Sequence, residues 1–245
     1  PYTTLFRSNG KKESKEAKEI PDAVAEAIAN VWREGALGAG DVLVFLPGER
    51  EIRDCAEALR KDHVLQQRFH PEVLSLFARQ SVAEQEHVFN PGNGRRIILT
   101  TNVAETSLTV PNIRYVVDSG LARVKRYSYR NKVEQLQIEP ISQAAANQRA
   151  GRCGRVSDGI CIRLYSEQDY LNRPRFTDPE ILRSSLAAVL LRMSALRLSK
   201  IQHFPFIDKP LGRAIADGVQ LHAQPGERGI HQRDDGILAA VTVVE

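Results

Sequence analysis

The sequence is poor in cysteine, with Cys55, Cys153 and Cys161 the only three in 245 residues. An odd count without metal-type spacing excludes a disulfide framework and points to a reduced, cytoplasmic compartment. No run reaches the roughly eighteen apolar residues that a membrane-spanning helix needs. No charged segment followed by an apolar core opens the chain, so no secretory signal is read there. Internal repeats and low-complexity tracts are also missing, which excludes solenoids and arrays. What is present suits a packed protein: 42% of residues are hydrophobic and 26% charged. That balance can fill a sizeable core and excludes disorder of the whole chain. The length suits one medium domain plus part of another.

Net charge is +4, with 34 basic residues facing 30 acidic ones. Its distribution says more than its sum. From Arg123 to Arg155 there are eight Arg or Lys residues and two Glu, a local net of +6. Such a cluster is the electrostatic footprint of a phosphate-rich partner, with a solvated basic face as the alternative.

Residues 1–8, PYTTLFRS, resemble a translated sequencing adapter and stay outside the expected fold. Residues 9–19 read as a charged, mobile lead-in, so 1–19 is expected to be disordered. Pro21 opens a helix in which Val24, Ile28, Val31 and Trp32 recur at helical spacing. Strand and helix then alternate. Val42–Leu46, Glu72–Phe77, Arg96–Thr100 and Tyr115–Asp118 are strand candidates. Glu49–Lys61 reads as a helix, as does Ser81–Phe89, where Ser81 and Glu84 form a capping box. This rhythm predicts a parallel sheet with helices on both faces and ligands at the carboxyl ends of its strands. Residues 122–138 break it with two polar, β-rich runs around Arg130-Asn131-Lys132, a long hairpin. A helix over Ile181–Leu198 begins a different unit. The expected organisation is a main domain over 20–165, the start of a small helical domain over 166–220, and a tail over 221–245. That tail, polar and glycine-rich, reads as truncated or frame-shifted.

The sharpest signal is Gln148-Arg149-Ala150-Gly151-Arg152-Cys153-Gly154-Arg155. On a helix Gln148, Arg152 and Arg155 would share one face. Two glycines, each costing a helix interior about 1 kcal/mol, beside three arginines suggest close backbone approach with cations aimed outward. Polyphosphate suits them, because guanidinium offers forked donors to phosphate oxygens. An Arg-rich helix paired with nearby carboxylates is the plainer alternative. A second signal, Thr100 to Pro111 (TTNVAETSLTVP), follows a buried strand with five hydroxyls and an Asn. These are donors for backbone phosphates or a nucleotide, or else a hydroxyl-rich capping turn.

Together VFLPG (44–48), LSLFARQS (74–81), TTNVAETSLTVP, YVVDSG (115–120) and QRAGRCGR resemble motifs IV, IVa, V, Va and VI of DEAH-box RNA helicases, in order. RYSYRNKVEQLQIEPISQAAANQRAGRCGR, GICIRLYSEQDY and FTDPEILRSSLAAVLLRM are similar to the bacterial HrpA-type branch, over roughly residues 20–220. The resemblance implies an α/β, RecA-like second motor domain with an inserted β-hairpin, then a winged-helix-like start. It implies that Gln148 orders the attacking water, while Arg152 and Arg155 act as arginine fingers. Ser107 would sense the γ-phosphate, Thr109 would lie near the ribose, and Phe89 would stack on the base unless it is an ordinary core residue. Gly48, Thr101 and Asn102 would meet the RNA backbone. The hairpin, with Arg126, Arg130 and Lys132, matches an element that wedges open a duplex; packing on a neighbouring domain is its alternative.

Relatives commonly carry Asp where Pro111 stands, and Cys153 takes a slot usually held by Ala, which reads as packing. No GxxxxGK[ST] and no DEAH tetrad occur in the chain. The groups for the β-phosphate and Mg²⁺ would therefore lie on a first RecA-like domain, and the isolated chain is expected to be inactive. The leading expectation is part of an ATP-dependent 3′–5′ RNA helicase, with ATP, Mg²⁺, RNA and the first motor domain as partners and no membrane. A non-enzymatic RNA-binding module and a DNA translocase are the alternatives. A Walker lysine upstream would argue against the first, and the hairpin argues against the second.

Overall fold

The computed structural model describes residues 2–7, 19–35, 38, 40–90, 94–106, 109–155, 157–223, 231–232 and 238–239. They form two compact units. The first comprises residues 1–123 and 138–177, and the second 124–137 and 178–245.

The first unit is built on β1 (Tyr2–Phe6), β2 (Asp41–Phe45), β3 (Glu72–Leu76), β4 (Arg96–Thr100), β5 (Ile113–Asp118) and β8 (Gly159–Arg163). They form one parallel sheet in the order β1-β8-β5-β2-β4-β3. Every residue of β2 and β4 is buried, as expected for central strands covered on both faces. One face carries Val42, Val44, Ile97, Leu99 and Val117 under α1 (Ile20–Glu34), α2 (Glu49–Lys61) and α3 (His63–Phe69). The other carries Leu43, Phe45, Ile98 and Val116 under α4 (Val82–Phe89), α5 (Val103–Thr106) and α6 (Gln143–Ala150). The period of two along each strand sorts these residues between the faces.

Local chemistry sets the helix ends. Val24, Ile28, Val31 and Trp32 of α1 are buried, and Gly35 closes the helix in the left-handed region at φ 64°. The Ser81–Glu84 capping box forms as the sequence predicts. At the amino-terminal ends of β2 and β4, Asp41 accepts from Arg96 Nε at 2.9 Å and Nη2 at 2.6 Å. Arg96 Nη1 donates to the carbonyls of Val88 and Asn90, so this buried pair is almost fully satisfied.

Three sequence expectations change. Tyr2–Phe6, set aside as adapter-like and disordered, pairs in parallel with β8 from Tyr2↔Gly159 to Phe6↔Arg163. Alternating β-prone residues can add to any open sheet edge, whatever their origin. The change of unit falls at Thr177/Asp178, and the hairpin tip belongs to the second unit. The single helix expected over Ile181–Leu198 is instead α8 (Glu180–Arg183) and α9 (Ala187–Ala195), broken at Ser184 and Ser185. Serine side chains there compete for backbone hydrogen bonds; the Ser185 hydroxyl accepts from the Ala187 amide at 3.3 Å.

The second unit contains α8, α9, α10 (Gly212–Ala223) and the outer parts of β6 (Leu121–Ser128) and β7 (Val133–Pro140). Leu186, Met193, Ile201 and Ala214 form its small core. Most of the expected lead-in and most of 221–245 lie outside the described residues. No described helix is long and apolar enough to cross a membrane.

Candidate nucleotide and RNA site

The register of the sheet places the motif loops side by side. Phe45 pairs with Thr100 and Asp118, and Thr100 with Leu76. The loops after β2, β3, β4 and β5 therefore leave the same end of the sheet, the carboxyl end where ligands gather in such folds. Gly48, Thr101 and Asn102 all sit there. The Thr100 hydroxyl donates to the Leu76 carbonyl at 3.0 Å, turning the next two residues out of the sheet. Asn102 is exposed and Thr101 half-buried. A Cβ at Gly48 would fall 2.8 Å from the Arg123 guanidinium carbon and from a Glu51 oxygen. The close approach expected there is made by Arg123, which pairs with Glu51 at 3.4 Å.

α6 does not run through the arginine motif. It ends at Ala150, and Gly151 and Gly154 carry the chain into a turn, Gly154 at φ 77°. Gln148, Arg152 and Arg155 therefore do not share a helical face, because the helix ends at Ala150 and Gly154 turns the chain between Arg152 and Arg155. Gln148 is exposed at the last turn. Arg155 is exposed and donates to the Thr109 hydroxyl at 2.9 Å. Arg152 is half-buried, with Nε and Nη1 both shielded from solvent and without a partner among the described residues. Burial lowers its pKa and Arg155 lowers it further, against the opposing pull of Glu105. A cation left short of hydrogen bonds beside a second cation can accept an anion.

Arg149 faces inward, contrary to the expectation that all three arginines point out. It is fully buried; Nε donates to Glu105 at 2.7 Å and Nη1 to Asp118 at 2.8 Å and the Leu121 carbonyl at 3.1 Å. Its guanidinium lies 4.9 Å from the centre of the Phe45 ring. Burial alone would lower its pKa, but Asp118 and Glu105 outweigh that and raise it. Asp118 also accepts from the Tyr165 hydroxyl at 3.0 Å and the Gly120 amide at 2.9 Å. Sequence reasoning missed this network. Ala146 and Arg149, three residues apart, share the face that α6 buries, but that spacing does not name the carboxylates that pair with Arg149.

The other expected residues divide. Ser107 lies outside the described residues. Phe89 is half-buried and packs against the sheet face that carries Leu43, Phe45, Ile98 and Val116. Cys153 is buried, its thiol 3.1 Å from the Ala150 carbonyl and pushed up to about 12 by burial, so it packs rather than reacts. Within the second unit the hairpin cations are mostly paired. Arg126 meets Asp178 at 3.2 Å, Lys132 meets Asp217, and Lys125 meets Glu134. Tyr127 donates to Asp217 at 2.6 Å, and Arg213 stacks over Tyr129. Arg130 is exposed and has no ion pair among the described residues. No group of three His, Cys, Asp or Glu able to hold a metal occurs among the described residues.

Comparison with known proteins adds a family to this geometry. Residues 26–157 match the helicase conserved C-terminal domain. The chain is 63% identical over 204 residues to the ATP-dependent RNA helicase HrpA of Escherichia coli, covering 83% of this chain and 15% of that protein. It is 62% identical over 191 residues to the HrpA homolog of Haemophilus influenzae, covering 78% and 14%. A crystal structure of the Escherichia coli DEAH/RHA helicase HrpB superposes with a TM-score of 0.76 at 30% identity, covering 90% of this chain and 27% of that one. The chain thus spans about 15% of the length of the HrpA proteins it matches. Motif order, parallel sheet and these matches agree, and the chain belongs to the helicase conserved C-terminal domain family, in its DEAH-box, HrpA-type branch.

Proposed function

We propose that this chain supplies the arginine half of an ATP site, and an RNA-gripping loop cluster, to a cytoplasmic ATP-dependent 3′–5′ RNA helicase. The observation that carries this reading is Arg152, with two shielded guanidinium nitrogens lacking partners among the described residues, beside the exposed Arg155. A phosphate chain would satisfy both. Bound ATP supplies the phosphoryl group whose transfer drives the motor. Arg152 and Arg155 would hold its terminal phosphate and stabilise the charge that develops there. Thr109, tied to Arg155, would sit at the sugar side, Ser107 at the γ-phosphate, and Gln148 at the attacking water. Phe89 would border the base. Mg²⁺ would be held by the first RecA-like domain rather than by residues of this chain. Gly48, Thr101 and Asn102 would meet RNA phosphates; within the second unit Arg130 would be the hairpin's RNA contact, with Arg126 and Lys132 available only by exchanging their carboxylates.

The test is to graft this segment into Escherichia coli HrpA in place of the matching residues. Arg152→Ala and Arg155→Ala should each lower RNA-stimulated turnover by about 10³-fold or more. RNA affinity should change little, because it is spread over many phosphate contacts. Near-normal hydrolysis by either variant refutes the assignment; RNA binding without hydrolysis by the unsubstituted graft favours a non-enzymatic RNA-binding module.

A further inference from the structure

The segment after β4 carries both kinds of expected contact: Thr101 and Asn102 for RNA at its start, Thr109 for nucleotide at its end. Between them α5 places Glu105 against Arg149, Oε1 accepting from Nε at 2.7 Å. Arg149 lies three residues before Arg152, and the Arg152 amide donates to the Arg149 carbonyl at 3.0 Å. A second tie joins the same two segments where Arg155 donates to the Thr109 hydroxyl at 2.9 Å. Arg149 cannot swing aside to absorb a movement of α5. Its other edge is fixed to Asp118 and the Leu121 carbonyl, and its face lies against Phe45.

We propose that Glu105 and Arg149 are positioning residues that carry the position of the RNA-contacting loop to the Arg152–Arg155 pair, so that RNA binding alters the placement of the arginines. The inference rests on the function proposed above and names how that site is regulated. Its physical basis is the stiffness of a buried, charge-assisted hydrogen bond, which has two discrete states, made or broken. Burial pushes the Glu105 carboxyl up, Arg149 and Arg152 pull it down, and Asp118 adds to the upward push. A shift of α5 that lengthens the 2.7 Å bond weakens it. A tie that could not yield would hold the arginines in one place whatever the RNA loop did.

The experiment uses the whole chain and a ten-residue oligouridylate at saturating concentration, with amide hydrogen exchange as the readout. In the unsubstituted chain RNA should slow exchange at Thr101 and Asn102 and, at least threefold, at 149–155. Glu105→Gln keeps the shape and a hydrogen bond but removes the charge. It should keep the protection at Thr101 and Asn102 and lose the change at 149–155. Glu105→Asp, which withdraws the carboxylate by one methylene, should give the same loss if the Gln variant folds poorly. A merely structural role would alter exchange with and without RNA alike and leave the RNA-dependent difference in place. Protection at 101–102 with an undiminished response at 149–155 in both variants overturns the coupling alone. Absence of protection at Thr101 and Asn102 in the unsubstituted chain overturns the proposed RNA contacts and the coupling together.

Discussion

Arg149 and Arg152, three residues apart in one motif, should respond to the same substitution in opposite senses. Arg149→Met leaves Asp118, which is wholly buried, and Glu105, whose side chain is 15% exposed, without their cation. Removing one partner from such a buried network costs about 3–5 kcal/mol. At roughly 2–4 °C per kcal/mol for a unit of this size, the melting temperature should fall by roughly 6–20 °C. Arg152→Met removes no hydrogen bond of the described fold. It removes two shielded donors without partners among the described residues and a like charge beside Arg155, but also the attraction to Glu105. The gain of about 1–3 kcal/mol per relieved buried group is offset by that lost attraction and by the lost side-chain packing, so this variant should melt at or slightly above the parent temperature. The chain has a single tryptophan, Trp32, buried in the first unit, and its fluorescence reports that unit alone. An Arg152 variant destabilised as much as the Arg149 variant would refute the division of labour. So would an Arg149 variant melting within about 2 °C of the parent.

Two further outcomes follow from the backbone and the second unit. Gly120→Ala should destabilise far more than Gly38→Ala, although both positions have positive φ, 73° and 72°. The left-handed conformation costs each about 1–2 kcal/mol, but only at Gly120 would a Cβ also fall 2.5 Å from the Tyr165 ring; equal melting shifts would remove the clash from the account. Asp217→Ala deprives Tyr127 and Lys132 of their shared acceptor, and amide exchange across 124–137 should rise by about tenfold, the equivalent of roughly 1.4 kcal/mol of local opening. Unchanged exchange there would show that α10 does not hold the hairpin tip.

Much of the sheet was legible because its central strands are continuous apolar runs ended by Pro47-Gly48, by threonines or by Asp118. Burial on both faces leaves no other reading of such runs. The capping box at Ser81 was equally plain, being a local device that needs no tertiary context. The arginine motif was legible as chemistry but not as geometry. Helical spacing carried Gln148, Arg152 and Arg155 onto one face, while the helix ends at Ala150 and Gly154 turns the chain before Arg155. Arg149 was misread because charge suggested solvent; its burial depends on Glu105 and Asp118, distant in sequence and brought together only by β4, β5 and α6. The hairpin's cations looked like an open phosphate-binding strip for the same reason. Their carboxylates at Asp178 and Asp217 lie far along the chain, where periodicity gives no hint of pairing.

The hairpin tip also sets an order of events during synthesis. Tyr127 meets Asp217, 90 residues later. At about 5–20 residues per second the tip waits roughly 5–20 s for its acceptor. β8, which joins the first unit's sheet, emerges within that interval. The larger unit can therefore close around its own strands while the two tyrosines, their rings edge-on 5.1 Å apart, and the cations beside them stay uncovered. For that time a nascent chain displays a basic, aromatic loop whose tyrosines and paired cations have not yet met α10, and anything polyanionic nearby meets the loop before α10 does.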